Sequence, residues 1–80
     1  MQPANNEEIQ KSVQKLVRVI INKLEENLRK DIRPGQMLAE IRILNNACQI
    51  LEEMKYSGIQ EIKDLRNKYF EYQNRVIKEK

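Results

Sequence analysis

The chain predicts an all-α fold: three helices in an antiparallel bundle, or a helical hairpin carrying a coiled-coil-like third helix, expected to oligomerise. Three observations lead there. Leu, Ile, Glu, Lys, Arg, Gln and Asn dominate, threonine is absent, and only two glycines and two prolines serve the turns. Apolar residues recur at helical spacing through three segments. The two internal breaks, DIRPGQ and KYSGIQ, fall between those segments.

Helix 1 is expected from about Asn6 to Lys30. Asn5 stands three residues before Glu8 in a capping-box-like start, and Glu7 and Glu8 favour a helix N-terminus. Ile9, Val13, Leu16, Val17, Ile20, Leu24 and Leu28 then form the apolar face, widened by Val19 and Ile21. Asn27 falls inside that arc and is the better candidate for a buried polar contact. Pro34 holds Arg33 extended, and Pro-Gly favours a tight turn, so the chain reverses at DIRPGQ.

Helix 2 is expected from about Gln36 to Lys55. Met37, Ile41, Leu44, Cys48 and Leu51 make one row; Ile43, Ala47, Ile50 and Met54 make a second. At about 100° per residue the two rows merge into an apolar arc about 180° wide. A helix of that kind packs on two neighbours: helix 1 at one edge and, at the other, helix 3, a second copy of the chain, or both. Asn45 and Asn46 fall at its polar edge. In KYSGIQ, Ser57 with Gln60 three later reads as a capping box for helix 3, expected from about Gly58 to Lys78. Ile62, Leu65, Tyr69, Tyr72 and Val76 give that helix a narrow seam, with Phe70 and Ile77 beside it.

Eighty residues make a single domain, 1–80, of a size that buries only about 60% of its unfolded surface. Small folds add disulfides, metals or self-association. One cysteine cannot make an intrachain disulfide. With no histidine, it cannot make a four-ligand Cys/His zinc site either. Self-association is the device left. No catalytic, metal or cofactor site is expected. Cys48 and the two serines have no histidine to activate them. The adjacent pairs Glu7–Glu8, Glu25–Glu26 and Glu52–Glu53 read as solvated surface, and two isolated glycines cannot build a phosphate loop.

No membrane span and no small-molecule substrate are expected, since no apolar run approaches about 18 residues. The polar, acidic start is unlike a secretory signal, and the lone thiol fits a reducing cytoplasm. The expected function is therefore protein–protein association, as a self-associating scaffold, adaptor or regulator whose partner is another copy or another helical protein. Tyr69, Phe70, Tyr72, Val76 and Ile77 are the expected partner contacts. The alternative is an oligomeric nucleic-acid-binding accessory protein, as in DNA packaging or replication machinery. It would contact phosphates through Lys11, Lys15, Arg18 and Arg29 on helix 1 and Lys63, Arg66, Lys68 and Arg75 on helix 3. A net charge of +3 with acids interspersed argues only weakly for it.

Overall fold

The computed structural model describes residues 6–79. Asn5, expected to cap the first helix, lies outside them. The fold is all-α: α1 (Asn6–Arg29), α2 (Leu38–Glu53) and α3 (Ile59–Lys78), with a single 3₁₀ turn (Pro34–Gln36) ahead of α2. The three helices pack against one another in an elongated body of 53 × 22 × 15 Å. Four side-chain contacts fix their order. Gln10 Nε2 donates to the Met54 carbonyl at 3.3 Å and Tyr56 Oη donates to Gln14 Oε1 at 2.8 Å, joining the start of α1 to the end of α2. Lys63 Nζ meets Glu52 Oε1 at 2.9 Å, and Arg18 faces Glu61 at 4.0 Å, which seats the start of α3 across both.

α1 and α2 end by the same device. Asp31 and Lys55 adopt left-handed backbone, with φ of 65° and 57°. After α1, the Asp31 N–H donates to the Leu28 carbonyl at 3.1 Å and the Ile32 N–H to the Asn27 carbonyl at 3.0 Å. After α2, the Lys55 N–H donates to Glu52 and the Tyr56 N–H to Leu51, both at 3.0 Å. This paired 5→2 and 6→1 pattern is a Schellman ending, which satisfies carbonyls a helix end would otherwise leave open. Ile32 and Tyr56, each just past its left-handed residue, fold back against the core. Neither left-handed position is glycine. Residues bearing a Cβ are strained there, so tertiary packing holds them in place.

The reversal after α1 is therefore made by Asp31, upstream of the Pro-Gly that the sequence points to. Pro34 instead opens the 3₁₀ turn. Arg33 before it is extended (φ −84°, ψ 153°) and its N–H donates to Gln36 Oε1 at 3.0 Å. The turn delivers Met37, 1% exposed, into the core, and α2 starts at Leu38, two residues later than the spacing suggests. The expected Ser57–Gln60 capping box at α3 is not formed. Gly58 is the N-cap with no side-chain cap bond, and Gln60 Nε2 donates forward to Asp64 at 3.0 Å. Gly58 has an ordinary φ of −91°; it is needed for space, since a Cβ there would meet the Tyr56 ring at 2.8 Å.

The core is one cluster drawn from all three helices. Val17 and Leu24 of α1, Leu44, Cys48 and Leu51 of α2, and Ile62 and Tyr69 of α3 are at most 2% exposed. Each large aliphatic among them contributes about 1.5–3 kcal/mol by burial. Asn27 is buried within this assembly, 8% exposed, as its place in the arc predicts, and Asn45 and Asn46 are exposed. Because Lys55 is held left-handed, Lys55→Gly should relieve that strain and stabilise the fold by up to about 1 kcal/mol. That corresponds to a rise of about 4–8 °C in Tm for a chain of this length. A thermal unfolding curve with unchanged or lower Tm would count against the strain.

Candidate interaction surfaces

α3 closes one side of the α1–α2 hairpin. Arg18 and Glu52, which meet α3, mark that side of α1 and α2. At about 100° per residue, Ile9, Val13, Leu16 and Ile20 lie together on the other side of α1, and Ile43, Ala47, Ile50 and Met54 lie on the other side of α2. Ile9 is 37% exposed, Leu16 40%, Ile43 43% and Ile50 44%; Val13, Ile20 and Met54 are half-buried and Ala47 is buried. These eight residues make a continuous aliphatic face with no charged member. Its outer members, Ile9, Leu16, Ile43 and Ile50, are left open to solvent.

The expected partner contacts on α3 divide differently. Tyr69 is a correction: it is 2% exposed, a core residue whose hydroxyl donates to the buried Gln73 at 2.9 Å. The seam that reads as spare surface is filled from within the chain, because α1 and α2 both turn apolar residues toward it. Phe70 stands edge-on to Tyr69, with ring centroids 5.4 Å apart at 62°, and packs with Tyr72 against the core. Val76 is half-buried and only Ile77, 36% exposed, reaches the surface. The open face belongs to the hairpin instead. Its signal was already present in the second apolar row of helix 2.

Acids lie among the basic residues. Arg18 pairs with Glu61 and Lys63 with Glu52. Arg66 lies near enough to the Cys48 thiol to pull its pKa down. Lys11, Lys15, Arg29, Lys68 and Arg75 are exposed. Glu25 and Asn22 share the α1–α3 groove with Arg18, Ile21 and Leu65. Phosphate contact by these residues stays an expectation of the sequence.

Two groups on the inner side have altered acidity. Burial pushes the Cys48 thiol up, against a smaller opposing pull from Arg66 and Lys63. Burial, with the Glu25 carboxylate and Tyr72 adding to it, pushes the Tyr69 phenol up to about 12. Both sites are apolar packing positions where a charge would be costly. Among the described residues no group of three or more His, Cys, Asp or Glu could hold a metal ion, and no helix is long and apolar enough to cross a membrane. Comparison of the chain with protein-family models, curated proteins and solved structures finds no match in any of the three.

Two outcomes follow. Cys48, 1% exposed, should label slowly with a thiol reagent in the native state and rapidly in denaturant; equal rates would remove it from the core. Tyr69 is neutral when protonated and its folded pKa lies above the unfolded value of about 10. Its contribution to stability is therefore complete below pH about 10 and declines as pH rises toward about 12. Phenolate absorbance should show an ionisation well above pH about 10 that is absent from Tyr69→Phe, and that substitution should flatten the loss of stability in the same window.

Proposed function

We propose that the chain is a non-enzymatic helical module that works by protein–protein association, as a scaffold, adaptor or regulator. The uncovered aliphatic face of the α1–α2 hairpin carries this reading. An apolar patch spread over two helices costs solubility when left in water, and such patches mark association sites. Its exposed members, Ile9, Leu16, Ile43 and Ile50, stand outside a core that already contains Val17, Leu24, Leu44, Leu51 and Ile62 at 1% exposure or less. A helical hairpin that offers one apolar side takes up further helices by the same packing that seats α3 on the other side. The buried free thiol suits a reducing cytoplasm as the place of action.

The discriminating experiment separates interface from core. Leu16→Glu combined with Ile43→Glu should preserve helical circular dichroism and leave Tm within a few degrees, while removing association through this face. Loss of the cooperative unfolding transition would place both residues in the monomer core and end the reading.

A further inference from the structure

We infer that the open face is closed by the same face of a second copy of this chain, giving a four-helix core with α3 outermost on each protomer. The inferred two-fold axis lies in the contact plane, perpendicular to the helices. The inference rests on the association reading above and supplies its partner.

The first support is electrostatic neutrality. A two-fold contact sets residues near the axis against their own mates, so a charge there would oppose itself. The eight residues from Ile9 to Ile20 and from Ile43 to Met54 that make the face include no charge. About a centre at Leu16 and Ala47, six of them pair among themselves at no electrostatic cost, with Ile9 and Met54 at the ends beside the charges.

The second support is the charge at its ends. Exposed Glu8 and Glu53 border the face where α1 starts and α2 ends; exposed Lys23 and Arg42, together with half-buried Glu40, border it toward the other end. On α1, Glu8 lies eight residues before Leu16 and Lys23 seven after. On α2, Arg42 lies five residues before Ala47 and Glu53 six after. Leu16 and Ala47 are level with each other to within one residue, because the Gln10–Met54 hydrogen bond sets the register of the two helices. One centre therefore serves both helices. A two-fold through it, crossing the helices, brings Glu8 toward Lys23 of the second copy and Arg42 toward Glu53 of the second copy. It also sets Val13 against Ile20 and Ile43 against Ile50. An axis parallel to the helices would instead bring the acidic end onto the acidic end, and the basic end onto the basic. Opposite charges at matched distances from one centre select the antiparallel copy.

The face sets the strength. From Glu8 to Lys23 it runs about 22 Å and two helices make it about 20 Å wide, a footprint of roughly 400–500 Å². That is under the roughly 800 Å² per partner of a standard stable interface, so the dimer should dissociate in the micromolar range.

Sedimentation equilibrium of the full chain from low to high micromolar concentration tests this. The mass should rise from 9.6 kDa toward twice that value. Lys23→Glu should weaken the dimer about tenfold, and adding Glu8→Lys should restore it. Leu16→Cys in a Cys48→Ala background should cross-link to its own mate under mild oxidation. A folded chain that stays at 9.6 kDa at every concentration overturns the second-copy inference and leaves the association reading standing. A dimer insensitive to Lys23→Glu, or one in which Leu16→Cys fails to cross-link, overturns the antiparallel two-fold. Unfolding of the Leu16→Glu, Ile43→Glu variant strikes the association reading itself.

Discussion

The row Leu44, Cys48 and Leu51 is the contact on which the rest of the bundle depends, because it is the one stripe that α1 and α3 share. All three residues are at most 1% exposed. Val17 and Leu24 join them from α1, and Ile62 and Tyr69 from α3, in one cluster. A chain this short cannot support two cores, so α2 has to be buried from two directions at once. That requirement explains why α2 is the shortest and most apolar of the three helices, and why its middle holds a small thiol. Cys48 is 1% exposed and fills that position as a small residue, with half-buried Arg66 nearby.

The helix ends follow from that demand. α1 and α2 must stop where the core stops, and both do so through a left-handed residue, Asp31 and Lys55. Each ending turns the next apolar side chain, Ile32 or Tyr56, inward to cover the end of the cluster. Tyr56 then bonds Gln14 and leaves no room for a side chain at Gly58. The strain at Asp31 and Lys55 is offset by burial that only the assembled bundle supplies.

Burial of the shared row also decides what is left outside. With one edge of α2 spent on α3, the other edge, Ile43 and Ile50, joins Leu16 and Ile9 of α1 in a face left open to solvent. The aromatic residues sit on the other side: Tyr69 is buried, and Phe70 and Tyr72 pack on the core. The open face is consequently aliphatic and uncharged, with charges confined to its ends. Proteins seldom leave such an area to water without using it.

Helix number, helix type and most of the core were determined by the sequence alone, because a 3.6-residue apolar period is a local property that survives any packing arrangement. The heptad row of helix 2, the seam of helix 3 and the buried position of Asn27 could all be read that way. Periodicity says that a residue faces apolar surroundings; it does not say whose. Tyr69 looked available because its seam was read without knowing that α1 and α2 would fill it. The second row of helix 2 showed that the helix needs two neighbours without saying which they are. The stop after α1 was ascribed to Pro34 and Gly35 because those residues carry a local turn signal. Lys55 carries none and Asp31 only the mild left-handed tolerance of an aspartate, and both adopt left-handed backbone where packing outweighs the local strain. Which face meets a neighbour, and which stays open, was decided by the tertiary structure, since three apolar arcs can be assembled around one core in more than one way and burial selects among them.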